Sequence, residues 1–181
     1  GDFRDDKVHF TFHGGEPLLA GYDFYEQALE KLSELPNLEG FSLQSNIWLL
    51  TEELIDLFIK YNVVVSTSID GPKEINDYQR GDGYFDKTMS KFRLAKEKGL
   101  IINFVLTVTD YSKDFSDELY EFFKSEKMNL KIHAALPSLR GDNADPWALD
   151  QEEHGKLLVD WLDKYLYDLD KFTVMDLDHI C

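Results

Sequence analysis

Cysteine is nearly absent from the sequence: the 181 residues include one, Cys181. A single thiol excludes a disulfide within the chain. It also excludes an iron–sulfur cluster held by this chain alone, because such clusters need several cysteine thiolates. Cys181 is therefore either a stray thiol or the first cysteine of a cysteine-rich region.

Basic side chains are also scarce, with 19 Lys and Arg against 35 Asp and Glu and a formal net charge of −16. Nucleic-acid binding requires clustered cations that neutralise phosphates, so this composition argues against a nucleic-acid partner. We interpret the acidic excess as a solvated surface. The alternative is a docking face for a basic peptide.

Long apolar runs are missing, as is the charged, then apolar, then small-residue pattern of a signal peptide. We therefore expect no membrane partner and a cytoplasmic location. A hydrophobic content of 43% and an aromatic content of 14% predict a folded globular protein.

The sequence does contain an alternation of strand and helix patterns, repeated five times. Short apolar runs predict strands at residues 8–12, 41–44, 63–69, 101–108 and 130–136, with helical periodicity after each. This order predicts an α/β fold of parallel strands, as an open doubly wound sheet or as a barrel or partial barrel. In either architecture, ligands bind beyond the carboxyl ends of the strands.

Residues suited to ligand binding stand at these strand ends. After the first strand come Gly14 and Gly15, which allow close approach of a ligand to the backbone, then Glu16 and Pro17. The Glu16 carboxylate suits an ammonium group, and Pro17 fixes the exit of the chain. The simpler alternative is a tight turn with an exposed acid.

A second group follows the third strand. Ser68 and Asp70 end it, and Arg80 comes after a short polar connection. Arginine offers a planar fork that matches a carboxylate, and Ser68 can add a hydrogen bond. With Glu16 for an α-ammonium, these residues predict a site for a free amino-acid group.

Two of the candidates carry their own simpler interpretations. Arg80 pairs with Asp77 or Asp82 on the surface if it follows the commoner behaviour of arginine. At the end of the second strand, Asn46 of the Gln44-Ser45-Asn46 triplet either holds ribose hydroxyls or forms a turn.

Taken in order, these segments resemble a known family. The stretches are Phe12-His13-Gly14-Gly15-Glu16-Pro17-Leu18-Leu19, Gln44-Ser45-Asn46, and Ser68-Ile69-Asp70-Gly71-Pro72 followed by Asn76, Asp77 and Arg80. They resemble the S-adenosylmethionine (SAM) binding segments of radical SAM enzymes, and especially the anaerobic sulfatase-maturating branch and its peptide-modifying relatives. The resemblance covers residues 8–135 and implies a partial (β/α)6 TIM-like barrel, with strands two to six present and the first strand missing.

The resemblance also implies roles for particular residues. The implied SAM contacts are Gly14, Gly15, Glu16 and Pro17 at the methionyl amino group, Ser68 and Arg80 at its carboxylate with Asp70 in the same site, Ser66 and Asn46 near the ribose, and Leu136 near the adenine. In such enzymes a [4Fe-4S] cluster on a CxxxCxxC loop cleaves SAM reductively to a 5′-deoxyadenosyl radical, which oxidises or modifies a protein or peptide substrate.

The sequence departs from this family in three respects. The first strand and the CxxxCxxC loop are missing, Ile47 stands where a glycine is usual, and the cysteine-rich tail is absent. We therefore expect an internal fragment that is inactive alone, with residues 1–150 as the barrel core and residues 151–181 as an amphipathic helix leading into a missing C-terminal region. Open strand edges are expected to favour self-association of such a fragment.

Three rival hypotheses remain open from the sequence. In the first, the chain is a cluster-free regulatory protein that binds SAM or an amino acid. In the second, it is an unrelated barrel enzyme that uses Glu16 or Asp70 in acid–base chemistry. In the third, the motifs are turns and no ligand binds.

Overall fold

Five parallel strands form one sheet in the order β1-β2-β3-β4-β5. The structure is a computed structural model that describes residues 6–137 and 145–178. The strands are β1 (Val8–Phe12), β2 (Leu38–Gln44), β3 (Val63–Ser68), β4 (Ile102–Val108) and β5 (Asn129–Ala134). The helices are α1 (Tyr22–Ser33), α2 (Glu52–Lys60), α3 (Lys73–Arg80), α4 (Tyr84–Lys98), α5 (Ser116–Glu126), α6 (Gln151–Tyr165) and α7 (Met175–Asp178), with short 3-10 helices at Pro17–Ala20 and Ser112–Phe115.

The predicted α/β class and the parallel strand–helix order are confirmed. Two helices were not predicted, the four-residue α7 and α3. Helix α3 occupies what the sequence presented as a short polar connection. It has no apolar stripe, because only Ile75 and Asn76 are buried along its length. Pro72 before it and Gly81 after it are the start and stop signals that mark it.

The chain divides into two compact units. The first unit contains residues 1–67 and 87–102, and the second contains residues 68–86 and 103–181. Each unit therefore draws on separate stretches of the sequence. The division into a core at residues 1–150 and a following region at residues 151–181 stays a prediction.

Aromatic side chains fill the core of the first unit. Tyr25 on α1 is buried, and its ring lies edge-on to Phe12 of β1 and to Phe58 of α2, with centroid distances of 5.2 and 5.3 Å. Edge-to-face pairs of this kind add to the free energy gained by burying the rings. The end of β1 and the start of α1 are thereby held together close to the Gly14–Pro17 turn.

In the second unit, the outer edge of β5 is partly covered. The backbone N–H of Leu130 donates to the carbonyl of Thr173 at 2.7 Å, and that of Ile132 donates to a carboxylate oxygen of Asp176 at 2.6 Å. Unpaired strand edges promote association between chains. These two N–H groups are unavailable for it, and self-association of the chain stays a prediction. Among the described residues, no helix combines the length and apolar character needed to cross a membrane.

Gly71 lies where any side chain would collide with α5. Its φ is +127°, and a Cβ built on it would lie 2.3 Å from the Leu119 Cδ2 atom. Leu119 is fully buried, so its side chain has little room to move away. Close packing and backbone conformation both require glycine at this position.

We expect Gly71→Ala to destabilise the protein by about 4 kcal/mol, from about 2 kcal/mol of backbone strain and about 2 kcal/mol of overpacking. Gly81→Ala is the matched control, because Gly81 has a φ of +102° and no heavy atom within 4 Å of the position that a Cβ would occupy. It should cost only the strain. Urea denaturation measures both, and Leu119→Ala should reduce the cost of Gly71→Ala to that of the control. Equal costs for the two glycines would contradict the steric argument.

Candidate functional site: two clusters at strand ends

Two consecutive glycines follow β1 with left-handed backbones. Gly14 has a φ of +94° and Gly15 a φ of +57°, and no heavy atom lies within 4 Å of the Cβ position of either. Glycine is required here by the backbone conformation and not by a neighbouring side chain. The result is an exposed stretch of backbone beside Glu16 without side chains, which a ligand can approach closely.

The Glu16 carboxylate is held in one orientation by three hydrogen bonds. Its Oε1 atom accepts from the Ser45 hydroxyl at 2.6 Å and from the Leu18 backbone N–H at 3.0 Å, and Oε2 accepts from the Asn46 backbone N–H at 2.9 Å. An ionised carboxylate has about four acceptor positions. Glu16 is half-buried and retains capacity for a further cationic donor.

The turn after β2 supplies two of these donors. Ser45 is buried, and its hydroxyl also accepts from the Ile47 backbone N–H at 2.8 Å, while Asn46 Oδ1 accepts from the Trp48 N–H at 2.9 Å. Asn46 therefore forms a turn, as its simpler interpretation proposed. Its predicted ribose contact stays a prediction.

Ile47 has a φ of +59° and is fully buried. A β-branched residue in the left-handed region is strained, at a cost of roughly 1–2 kcal/mol. Burial of its side chain and the hydrogen bonds around Ser45 hold it there. Ile47 thus adopts, under strain, the backbone conformation that a glycine at this position would adopt freely.

Tyr25 fixes the other side of the Glu16 turn. Its hydroxyl donates to the Pro17 carbonyl at 2.9 Å. Burial, with a smaller contribution from the Glu16 charge, raises the pKa of Tyr25 to about 12. The phenol stays protonated over the physiological range and remains a donor to Pro17.

In the second unit, Asp70 lies at the centre of a buried polar network. Its side chain is almost inaccessible, and Oδ1 accepts from the Thr107 backbone N–H at 2.9 Å and from Arg80 Nη2 at 2.9 Å. Oδ2 accepts from Gln79 Nε2 at 3.0 Å. The predicted site acid therefore faces the protein, with its oxygens engaged by groups of its own unit.

Arg80 pairs with Asp70, and not with Asp77 or Asp82 as its simpler interpretation proposed. Arg80 Nε lies 2.7 Å from Asp70 Oδ2, within ion-pair range but off the line of a hydrogen bond. Burial alone would lower the pKa of Arg80, but the charge and hydrogen bond of Asp70 outweigh it and raise that pKa. The guanidinium is thus permanently charged and held along one edge.

Asn76 and Asp77 have structural roles in the same unit. The Asp70 backbone N–H donates to Asn76 Oδ1 at 3.0 Å, which joins α3 to the end of β3. Asp77 accepts from the backbone N–H groups of Gly83 and Phe85 at 3.2 and 2.8 Å, at the start of α4. These two motif residues shape the backbone that carries Arg80.

The remaining predicted contacts lie at strand ends. Ser66 and Ser68 are half-buried among the last residues of β3, and the carbonyl of Ser66 accepts from the Ser45 N–H at 3.1 Å. Leu136 follows β5 and is 76% exposed. Their predicted roles at the ribose, carboxylate and adenine are not decided by these contacts and stay predictions.

Three residues that sequence reasoning did not select complete the second cluster: Gln79, Thr107 and Thr109, the last donating to Gln79 Oε1 at 2.8 Å. Ser45 was marked by its place in the Gln44-Ser45-Asn46 triplet at a strand end, but its hydrogen bond to Glu16 was not predicted. Gln79 carries no such signal, since it lies in the helix that the sequence did not reveal. Within the described ranges, no three His, Cys, Asp or Glu residues are grouped to hold a metal ion.

Comparison with known proteins identifies the family. The sequence profile of the Radical SAM superfamily matches residues 2–123. The chain belongs to the radical SAM superfamily. The resemblance inferred from the strand-end motifs is confirmed.

Individual relatives agree with this assignment. A protein of Methanothermobacter thermautotrophicus without a described function is 46% identical over 180 residues, covering 98% of this chain and 69% of the relative. The serine-type anaerobic sulfatase-maturating enzyme of Bacteroides thetaiotaomicron is 35% identical over 124 residues, covering 65% of this chain and 30% of the enzyme. This radical SAM chain therefore spans less than a third of the length of that curated enzyme.

A solved structure shares the fold. Native anSMEcpe with bound AdoMet and Cp18Cys peptide superposes with a TM-score of 0.84 at 26% identity, covering 96% of this chain and 52% of that one. The five-stranded parallel sheet is thus that of a partial radical SAM barrel of the TIM-like type.

We expect Asp70→Asn to lower the free energy of unfolding by about 3 kcal/mol, because it leaves the Arg80 charge uncompensated in a largely buried setting. Asp110→Asn is the control, since Asp110 forms an exposed ion pair with Lys113 at 2.6 Å. Its loss should cost less than about 1 kcal/mol. Chemical denaturation of the two variants measures the difference, and similar small effects would show that the Asp70–Arg80 pair is not an energetic centre of the second unit.

Proposed function

We propose that this chain is the SAM-positioning part of a radical SAM enzyme that oxidises or modifies a side chain of a protein or peptide, in the manner of sulfatase maturation. The likeness to a sulfatase-maturating enzyme and to a structure bound to AdoMet and a peptide supports the proposal. In such an enzyme, SAM cleaved reductively at a [4Fe-4S] cluster supplies a 5′-deoxyadenosyl radical that removes a hydrogen atom.

One observation carries the proposal: the Glu16 carboxylate, oriented by three hydrogen bonds beside the bare backbone of Gly14 and Gly15. A carboxylate with acceptor capacity left, next to space that no side chain fills, fits an α-ammonium group. Hydrogen bonds between charged partners are among the strongest in proteins. In the proposal Glu16 binds the amino group of SAM, and Ser45 and Tyr25 keep the turn in position.

The second unit supplies the carboxylate contacts in this proposal. Arg80 uses the edge of its guanidinium away from Asp70, with Ser68 adding a hydrogen bond. In the proposal Asp70 contributes indirectly, by positioning Arg80, because it is almost inaccessible and pairs with that guanidinium. Asn46, Ser66 and Leu136 are assigned to the nucleoside.

Positioning matters chemically because the bond of SAM that is cleaved has to be held at one distance and orientation relative to the cluster. Such orientation is a large part of catalysis. The thiolates for the cluster are not among the residues of this chain, which has one cysteine. In the proposal they belong to other parts of the whole enzyme.

We expect Glu16→Ala and Arg80→Ala in the whole protein to abolish formation of 5′-deoxyadenosine after anaerobic reconstitution with iron and sulfide and addition of SAM and dithionite. Each variant removes one charged contact to the amino-acid end of SAM, a loss of about a hundredfold or more in affinity. Chromatographic quantification of 5′-deoxyadenosine is the measurement, and Glu34→Ala, an exposed acid at the end of α1, is the control.

Two outcomes would contradict the proposal in different ways. SAM binding to a protein with an intact cluster but without 5′-deoxyadenosine would favour the regulatory protein that binds SAM and performs no chemistry. Neither binding nor product would show that the motifs serve as turns.

We expect Ser45→Ala to raise the dissociation constant for SAM about tenfold, because it removes a buried donor to Glu16 and the acceptor for the strained Ile47 N–H. Equilibrium dialysis with labelled SAM measures this directly. Ser45→Thr keeps the hydroxyl and should restore most of the affinity, whereas Ser33→Ala on the exposed face of α1 should leave it unchanged. An unchanged constant in Ser45→Ala would remove the positioning role from Ser45.

A further inference from the structure

On the surface of the second unit, the ring of Tyr78 contacts two other aromatic side chains. The ring centroid of Tyr78 lies 4.3 Å from that of Tyr111 and 5.6 Å from that of Trp147. Tyr78 is 61% exposed and Trp147 is 38% exposed. We refer to Tyr78, Tyr111 and Trp147 as the aromatic cluster.

The cluster lies at the carboxyl ends of the strands. Tyr78 is on α3, which follows β3, Tyr111 follows β4, and Trp147 lies in the connection after β5. The Trp147 carbonyl accepts from the Asp110 backbone N–H at 3.2 Å, which ties this connection to the end of β4. Ligands of α/β barrels bind at this end, so the cluster lies on the reactive side of the second unit.

The unit that carries the cluster is strongly acidic. The described part of the second unit has 21 Asp and Glu against 9 Lys and Arg, whereas the described part of the first has 11 against 8. The Asp145 carboxylate lies directly against the cluster, because its Oδ1 atom accepts from the Trp147 backbone N–H at 3.0 Å.

The cations of the same segments are already paired. Lys73 pairs with Asp86, Arg80 with Asp70, and Lys113 with Asp110. These pairs neutralise the local positive charges, while the acidic excess of the unit remains.

We propose that the aromatic cluster is a docking surface for a basic side chain of the protein or peptide substrate, and most suitably for an arginine. This inference rests on the proposed function, because it takes a protein or peptide as the substrate. Exposed tyrosine and tryptophan faces attract a guanidinium by cation–π interaction and planar stacking, and the acidic excess of the unit adds long-range attraction. The group that fits this surface is therefore a planar cation. In the proposal the surface selects substrates by a residue beside the one that is modified.

The test is a binding measurement on the whole protein that needs neither SAM nor cluster turnover. The probe is a fluorescein-labelled synthetic peptide with arginines on both sides of a central cysteine, followed by fluorescence anisotropy. Its partner is the same peptide with each arginine replaced by citrulline, which keeps the shape and removes the charge. We expect the arginine peptide to bind about tenfold more tightly, which is within the range of desolvated cation–π contacts.

Variants locate the contact. Tyr78→Ala should weaken the arginine peptide about fivefold and leave the citrulline peptide unchanged, and Tyr78→Phe, which keeps the ring, should restore binding. Tyr78 is exposed, so these changes should not disturb folding. Tyr167→Ala is the matched control, because Tyr167 is 86% exposed and follows α6, which runs back from the strand ends.

Equal binding of the two peptides, or an effect of Tyr167→Ala as large as that of Tyr78→Ala, would overturn the inference. So would sedimentation showing a wild-type dimer that Tyr78→Ala converts to a monomer, because the cluster would then join two copies of the chain. Failure of peptide binding alongside normal 5′-deoxyadenosine formation would reject this surface and leave the proposed function standing. Peptide binding without 5′-deoxyadenosine formation would reject the proposed function, and with it the role of the bound peptide as a substrate.

Discussion

The hydrogen bonds to the Glu16 carboxylate are the constraint on which the first unit depends. They join a turn after β1 to a turn after β2, so that two segments about thirty residues apart in sequence share one acceptor. Loss of a buried, charge-assisted hydrogen bond costs more than loss of a neutral one, because the remaining partner is left without a substitute. The backbone strain at Ile47 is tolerated beside this fixed point, and the hydrogen bond from the Tyr25 hydroxyl to the Pro17 carbonyl reinforces it.

The second unit is organised by a different kind of contact, a buried ion pair within a polar network. Buried pairs often contribute little net stability but impose a single geometry on the groups that they contain. Asp70 accepts from a strand, from Gln79 and from Arg80, so that α3 has one orientation relative to β4. The two units thus reach ordered strand ends by different means, a shared carboxylate in one and a charge pair in the other.

Sequence patterns predicted the fold well wherever burial is periodic. The bounds of β1 were predicted as they are observed, since its alternating side chains and the glycines after it leave one interpretation. The helix α3 was missed because polar side chains hold it in place instead of an apolar stripe. Polar contacts also limited the prediction of the site. Glu16 and Arg80 could be selected by residue type and position, but the pairing of Arg80 with Asp70 is a tertiary contact that no local pattern encodes.

The covered edge of β5 has a consequence for the order of synthesis. Leu130 and Ile132 are paired by Thr173 and Asp176, which the ribosome adds only after the whole of α6 has been made. Until then the nascent strand presents unsatisfied N–H groups, which is the condition under which partly made chains pair wrongly. Residues 173–176 therefore cover this edge late. A chain truncated before them would be more prone to aggregate than its sequence composition suggests.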